Sequence, residues 1–297
     1  MRHPDFPSSL AMPAAWHASL RLRFAARAGR TAMVERRHQG PLLVQKPLYP
    51  EGDICHVVVL HPPAGVAGGD VLDIDIAVAS GAHAVLATPG ATKWYKSLGR
   101  EAAQQVRIDV AEGAKLDWLP QENIVFDDAR ARIATDVVVA PGGSAIGWDA
   151  VVLGRQASGE RWASGALWLD TRIADGDRAL WIEQSHFDAA SPLRTAVSGM
   201  DGLHILGTLW AVGQGATPAL AESLAERLPY AADLRAGVTC LAARGTSHDQ
   251  PPGQSMLLLR VLGRQMEAVR QVMVDSWTAL REPIHGVPAR PLRLWST

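Results

Sequence analysis

The sequence has 297 residues, of which 47% are hydrophobic and 20% are charged, a balance typical of a folded globular protein. Its formal net charge is −1, which excludes the overall positive field that favours nucleic acids and anionic membranes. With only two cysteines, Cys55 and Cys240, a disulfide scaffold and a four-cysteine metal site are also excluded. We therefore expect no nucleic-acid and no membrane partner.

The N-terminal residues 1–15 contain three prolines and no apolar run as long as that of a signal peptide,. They predict a flexible tail that precedes a single domain over residues 16–297. No stretch of the sequence reaches the ~20 apolar residues that a membrane-spanning helix needs. Together with the few cysteines, these features favour a cytoplasmic protein.

Short strands are predicted from residue 16 to about residue 200. Polar and apolar residues alternate over Trp16–Phe24 and over Val71–Val78, which is typical of strands with one buried face. Val57–Leu60 is a short apolar run that ends at two prolines, as expected for a buried strand,. Together these segments indicate a β-rich body.

Three turn signals recur at intervals of about 30 residues in this region: Gly81-Ala82, Gly113-Ala114 and Gly142-Gly143. Each signal lies between apolar segments of strand length. Such regular strand–turn units are typical of a solenoid in which the units stack on one another. A β-sandwich also has regularly spaced strands, so the spacing alone leaves both architectures open.

The part from residue 203 to 282 predicts further strands and two helices. Thr217 and Pro218 form a typical helix start, because threonine caps a helix and proline suits its first turn. Apolar residues at helical spacing predict a second helix over Gln265–Arg281,. The last residues, 283–297, contain three prolines and are expected to be extended,.

Common catalytic and metal-binding motifs do not occur in the sequence. It lacks a phosphate-binding P-loop, the H-E-x-x-H and C-x-x-C metal motifs, and the G-x-S-x-G nucleophile motif,. Cys55 and His56 are adjacent in a predicted strand, so their side chains point to opposite faces. A metal-dependent hydrolase built on Asp70, Asp149 and His61 remains one alternative, although no motif supports it.

Three carboxylates occur where burial is expected. Asp70 shares the strand parity of apolar residues, and Asp149 and Glu183 lie in apolar segments that contain tryptophan. A buried carboxylate is costly unless it is hydrogen-bonded, paired or hydrated. The acids are therefore either structural, accepting backbone N–H bonds or pairing with arginines such as Arg155 and Arg161, or they line a water-filled passage for a divalent cation.

Many ordered sequence blocks resemble the UreD (UreH) family of urease accessory proteins, and together they extend from Trp16 to Thr297. These blocks include Gln45-Lys46-Pro47-Leu48-Tyr49-Pro50-Glu51-Gly52, His61-Pro62-Pro63, Gly68-Gly69-Asp70, Thr88-Pro89-Gly90-Ala91-Thr92-Lys93-Trp94, Trp118-Leu119-Pro120-Gln121-Glu122, Gly147-Trp148-Asp149 and Leu153-Gly154-Arg155. One departure is Ala64, where the family usually has glycine. The number of blocks makes the resemblance specific.

The resemblance implies a mainly β protein with a right-handed β-helix-like, layered body and two helices in its C-terminal third. It implies a scaffold without catalytic activity that helps insert nickel into apo-urease. The implied partners are UreF, UreG through UreF, and the urease apoprotein. No cofactor is expected to be tightly bound.

In this family, nickel is thought to pass through an internal passage. The residues proposed to line it match Asp70, Thr92, Asp149 and Glu183, which we expect to contact Ni²⁺ in transit. The alternative is a docking scaffold of the urease activation complex that has no nickel path and whose acids are structural.

Overall fold

The structure is a computed structural model that describes residues 15–241 and 253–296. The flexible tail predicted for residues 1–15 lies outside the described residues, except for Ala15. In the part of the chain that is described, no helix is both long enough and apolar enough to cross a membrane.

Strands account for most of the regular structure in the described residues. In the first half of the chain they are β1 (His17–Arg27), β2 (Arg30–Gln39), β3 (Leu43–Val44), β4 (Leu48–Glu51), β5 (Ile54–Leu60), β6 (Gly65–Val66), β7 (Val71–Val78), β8 (His83–Ala87), β9 (Thr92–Trp94), β10 (Ala102–Val110), β11 (Lys115–Leu119) and β12 (Asn123–Val125). In the second half they are β13 (Ala129–Val139), β14 (Ser144–Leu153), β15 (Gly165–Asp175), β16 (Arg178–Asp188), β17 (Ile205–Gly213), β18 (Leu234–Leu241) and β19 (Ser255–Gly263). Two helices, α1 (Pro218–Ala225) and α2 (Met266–His285), belong to the C-terminal third.

The strands form two sheets that face each other. Sheet one has the order β16-β15-β13-β10-β7-β1-β2, and the main path of sheet two is β18-β19-β17-β14-β11-β8-β5-β3. The chain crosses from sheet one to sheet two between β7 and β8, between β10 and β11, and between β13 and β14. Successive strands in each sheet are parallel there. The body is a β-solenoid of about four turns, which confirms the predicted fold class.

The three predicted turn signals mark these crossings between the sheets. Gly81, Gly113 and Gly142 each have a positive φ, from +67° to +78°, a conformation that glycine adopts without steric cost. The turns stack in register, because Val110 pairs with Val78 on one side and with Val139 on the other. The repeat seen in the sequence is therefore the repeat of the solenoid.

Alternating side chains separate the core from the solvent. On β7, Leu72, Ile74 and Ile76 are buried between the sheets, whereas Asp73 and Asp75 are only partly buried on the outer face. Fully burying one such aliphatic side chain contributes about 1.5–3 kcal/mol. Repetition of this pattern on neighbouring strands makes the space between the sheets predominantly apolar.

The outer face of sheet one carries a row of alternating charges. Residues at one register on β1, β7, β10, β13 and β15 are, in order, Arg21, Asp75, Arg107, Asp136 and Arg172. Arg172 and Asp136 form an ion pair of 3.0 Å at the end of this row. Exposed pairs of this kind contribute about 0.2–1 kcal/mol each. The row therefore places opposite charges next to each other on neighbouring strands but adds little to the stability of the fold.

The two helices pack on the C-terminal half of the body. The Thr217 hydroxyl accepts a hydrogen bond from the Leu220 amide and so caps α1 as predicted. Helix α2 lies on the outer face of sheet two, where Trp277 and Leu280 are fully buried.

Helix α2 extends beyond the predicted end at Arg281 and includes Pro283, although an extended tail was expected from residue 283. A proline inside a helix removes one backbone hydrogen bond. Here the buried Ile284 and His285 hold the last turn against sheet two, and the helix ends at Gly286, whose φ is +68°. Tertiary contacts therefore override the local effect of the proline.

Candidate functional site

A polar cavity lies between the two sheets and brings together two of the four predicted path residues, Asp149 and Glu183. Its volume is about 30 Å³, which has room for about two water molecules. Six of the residues that line it are polar: Thr135, Thr171 and Glu183 from sheet one, and Asp149, Thr208 and Arg260 from sheet two. We call this space the polar cavity.

The sheet registers explain how these six residues meet. Thr135, Thr171 and Glu183 are direct neighbours across β13, β15 and β16. Asp149, Thr208 and Arg260 are direct neighbours across β14, β17 and β19 in the same way. Each sheet thus contributes one row of three polar residues, and the rows face each other across the core.

Contacts between the sheets occur at both ends of the two rows. At the inner end, the Thr135 hydroxyl donates to Asp149 Oδ2 at 3.3 Å. At the outer end, the Arg260 guanidinium donates to Glu183 Oε2. β16 is an edge strand of sheet one, so the outer end lies toward the solvent and the inner end lies toward the core.

Asp149 is an unusual acid that lies partly buried between the sheets. Among the described residues, the Thr135 hydroxyl is its one side-chain hydrogen-bond donor within 3.5 Å, and no ion pair involves it. Its remaining accessible surface faces the polar cavity. Burial raises the pKa of Asp149 to about 7, although the hydrogen bond from Thr135 acts in the opposite direction. Near neutral pH the carboxyl therefore exists in both protonation states.

Glu183, by contrast, has a cationic partner. Its Oε2 accepts from Arg260, and its Oε1 accepts from the Ser185 hydroxyl at 2.9 Å. Arg155, a partner considered from the sequence, pairs instead with Glu160 at 2.8 Å. The partner of Glu183 comes from sheet two, 77 residues further along the chain.

Asp70 lies outside the polar cavity, in the turn before β7. Its carboxylate accepts backbone hydrogen bonds from Trp16 and from Ala67, each of 2.9 Å. The strand begins one residue later, at Val71, so the parity of β7 does not extend to Asp70. These bonds fix the turn and the entry into β1.

Thr92 lines a second interior cavity of about 120 Å³ together with His61, Thr88 and Gln104. We call it the His61 cavity. His61 Nδ1 is buried without a hydrogen-bond partner. Burial lowers the pKa of His61, although the nearby Asp70 acts to raise it. His61 and Asp149 line different cavities, so the structure does not assemble the hydrolase site of Asp70, Asp149 and His61.

A further cluster of ionisable side chains lies beneath α2 and was not predicted from the sequence. His83 on β8, Asp117 on β11 and His285 on α2 are all buried, and one potential ligand atom from each lies within 4.8 Å of the others. The three residues are far apart in the sequence, so no local pattern predicts that they group together. The single local signal is an aspartate between Leu116 and Trp118 in an apolar strand.

This grouping is an anchor for helix α2 rather than a metal site. Asp117 accepts from Trp277 Nε1 at 2.7 Å and lies 3.5 Å from Arg281 Nε, and Arg281 also pairs with Glu51 at 2.6 Å. A guanidinium therefore already supplies the cation. Burial alone would raise the pKa of Asp117, but His285 and His83 outweigh it and hold that pKa well below its usual range. We call Asp117 and the side chains around it, His83, Trp277, Arg281 and His285, the α2 anchor.

Comparison with known proteins shows a consistent relationship. The family model described as UreD urease accessory protein matches residues 17–296. A protein named urease accessory protein UreD from Cupriavidus metallidurans is 85% identical over 297 residues, which cover the whole of both chains. Its namesake from Cupriavidus necator is 78% identical, also over the whole of both chains. The namesake from Bordetella pertussis is 44% identical and is aligned over 95% of this chain and 98% of its own.

Proposed function

The chain belongs to the UreD urease accessory protein family, and from that premise we propose that it helps insert nickel into apo-urease. It is an accessory protein and not an enzyme. In the proposed function it bridges UreF, and through it UreG, to the urease apoprotein. Ni²⁺ passes through its interior by way of the polar cavity.

The observation that carries this proposal is the state of Asp149. A buried carboxylate is normally paired with a cation or saturated with hydrogen bonds, because its burial is otherwise costly. Asp149 has one 3.3 Å bond from a threonine hydroxyl and faces a cavity. Buried groups with a perturbed pKa in a cavity are typical of functional sites. No cation pairs with Asp149 among the described residues, which supports a role as a ligand for a cation in transit.

The ligand chemistry of the polar cavity suits an ion in transit. Its donors toward a metal are carboxylate and hydroxyl oxygens from Asp149, Glu183 and three threonines. Nickel prefers nitrogen and sulfur ligands in tight sites, so an all-oxygen set binds it loosely and allows release. Because binding requires the ionised carboxylate, an ion that binds displaces the proton wherever Asp149 is protonated.

Thr92 and the His61 cavity extend the proposed passage toward the other end of the body. The His61 cavity holds a neutral histidine whose Nδ1 has no hydrogen-bond partner, and a free imidazole nitrogen is a nickel ligand. We propose that an ion visits both cavities. The two are separate spaces in the structure, so passage between them requires side-chain movement.

A pure docking role is the second candidate function, and Asp70 favours it. Both hydrogen bonds from Trp16 and Ala67 go to the carboxylate of Asp70 and fix the backbone there. Such a carboxylate has a structural purpose without any metal. In this alternative, substitution of Asp70 weakens folding or assembly and leaves metal transfer unaffected in the complexes that form.

The proposal is tested by urease activation in cells that express urease with all its accessory proteins. Asp149→Asn keeps the shape of the side chain and removes the charge, and we expect it to lower activation at least about tenfold, as loss of a metal ligand does. Co-purification of the variant with UreF and apo-urease should stay normal. Asp136→Asn, on the outer face of β13, is the matched control and should activate urease fully.

Two outcomes would count against a nickel path. Full activation by Asp149→Asn would show that the polar cavity does not carry the ion. Loss of co-purification together with loss of activation would favour the docking role instead.

A further inference from the structure

The outer end of the polar cavity is closed by a single ion pair. Arg260 and Glu183 meet across the two sheets, and their side chains retain 36% and 22% of their solvent exposure. Asp149 lies at the inner end of the same rows, two strands away in sheet two. An ion that moves along the rows between the solvent and Asp149 therefore passes the Arg260–Glu183 pair.

Arg260 is held in this position by few contacts. Its guanidinium donates to Glu183 and lies over the ring of Trp181, 5.3 Å from the ring centre. Its Nε is buried and has no hydrogen-bond partner among the described residues. A buried donor left unsatisfied is destabilising, so the observed position lacks part of the bonding that the guanidinium has in water. The side chain is long, and its partly exposed end has a direct way into solvent.

The charge of Arg260 opposes the function proposed for the cavity. A divalent cation bound through Glu183 Oε2 needs the carboxylate oxygen that Arg260 now contacts. The guanidinium also repels any cation that approaches Asp149, and this repulsion is strong in a region screened from water. The closed pair and a metal ion bound at Glu183 Oε2 therefore exclude each other, and repulsion by the guanidinium opposes a metal ion elsewhere in the cavity.

We propose that Arg260 is the gate of the polar cavity. It neutralises Glu183 while the cavity holds no metal, and it moves from Glu183 into solvent when a divalent cation takes its place. The gate excludes monovalent cations. Replacing the guanidinium at Glu183 with another single positive charge gains no electrostatic free energy and loses the hydrogen bond of the guanidinium. This inference rests on the proposed function of the cavity, since it assumes that Glu183 contacts the ion.

Calorimetric titration of the full-length chain, co-purified with UreF if it is insoluble alone, tests the gate. The titrant is NiCl₂ at pH 7.5. We expect Arg260→Gln to raise the affinity for Ni²⁺ by about tenfold or more, since removing one nearby repulsive charge has effects of that size. Arg260→Lys keeps the charge and should stay within about threefold of the parent chain. Arg36→Gln removes an exposed charge from β2, at the opposite edge of sheet one, and should change nothing.

The double variant Arg260→Gln/Glu183→Gln leaves no charge unpaired and covers the case in which Arg260→Gln does not fold. The gate requires it to bind Ni²⁺ more tightly than Glu183→Gln alone, because the repulsive charge of Arg260 is absent. Binding by the double variant no tighter than that of Glu183→Gln would overturn the gate, as would unchanged affinity in a folded Arg260→Gln variant.

The gate and the proposed function fail in distinguishable ways. If Asp149→Asn and Glu183→Gln lower the affinity while Arg260→Gln leaves it unchanged, the cavity binds nickel and the gate is wrong. If none of the three substitutions changes the affinity, the cavity does not bind nickel and both ideas fall. A higher affinity in Arg260→Gln combined with lower urease activation is the result expected when an ion enters the cavity but is retained there.

Discussion

Sheet two carries ionisable groups on both of its faces, and the two sets are built differently. On the outer face, Asp117 of the α2 anchor is surrounded by Trp277, Arg281, His83 and His285 and is fully buried. On the inner face, Asp149 accepts one side-chain hydrogen bond, from the Thr135 hydroxyl, and otherwise faces the polar cavity. The first carboxylate is saturated and the second is not. The saturated Asp117 fixes structure, whereas the unsaturated Asp149 is the carboxylate that we propose to contact a metal ion.

The largest expected effect comes from breaking the saturated side. Asp117→Asn removes the negative charge between Arg281 and the two histidines, and leaves the guanidinium without half of its counter-charge. Breaking a buried ion pair by removing one partner costs about 3–5 kcal/mol. We expect a loss of this size in the free energy of unfolding, measured by urea denaturation.

Asp136→Asn is the matched control, because it removes an aspartate from an exposed pair and should cost no more than about 1 kcal/mol,. A loss under 1 kcal/mol for Asp117→Asn would mean that the α2 anchor does not hold the helix, and that the contrast between the two faces is misjudged.

The sequence contains the information for the local elements of this fold but not for these two sites. Alternation predicted β7 with its bounds at Val71 and Val78, and the cap at Thr217 predicted the start of α1. These features depend on residues within a few positions of one another. The repeat of Gly81, Gly113 and Gly142 was compatible with stacked units and with a β-sandwich, and the structure shows that each crossing of the solenoid uses the same turn.

The partners of the buried charges depend on the three-dimensional register instead. Glu183 pairs with Arg260 because β16 and β19 face each other, a relation that no local pattern records. Asp117 and Arg281 meet because α2 docks on sheet two. The same docking keeps Pro283 inside the helix. Sequence reasoning therefore found Glu183 but not the arginine that neutralises it, and it missed Asp117 and its partners altogether.

A smaller expected effect is a pH dependence of the free energy of unfolding, which comes from Asp149 on the inner face of sheet two. The pKa of Asp149 is raised from 3.8 to about 7 in the folded chain, so the folded state holds its proton more tightly than the unfolded state does. The associated stability is fully present below pH 4 and is lost as the pH rises through 7. The loss amounts to at most about 4 kcal/mol, which corresponds to that rise in pKa at 1.36 kcal/mol per unit.

Asp149→Asn removes this titration, and we expect the variant to be more stable than the parent chain at pH 8 and no more stable at pH 4. Urea unfolding at both pH values measures the difference. The same relative stability at the two pH values would show that Asp149 does not titrate in this range and that its carboxyl is better solvated than the cavity indicates.

The smallest effect concerns the one hydrogen bond on the unsaturated side. Thr135→Val keeps the volume of the side chain and removes the hydroxyl that donates to Asp149 Oδ2. A donor to a carboxylate favours its ionised form, so losing it raises the pKa of Asp149. At 3.3 Å the bond is long, and we expect a rise of roughly half a unit in the pKa of Asp149.

The measurement is the NMR titration of the Asp149 carboxyl carbon, assigned by its absence in Asp149→Asn. Thr171→Val also changes the lining of the polar cavity, yet it removes no bond to Asp149 and should leave the titration unchanged. If both valine variants shift the pKa equally, the polarity of the cavity as a whole, and not the Thr135 hydroxyl, sets the ionisation of Asp149, and the contrast with Asp117 lies in hydration instead of hydrogen bonding.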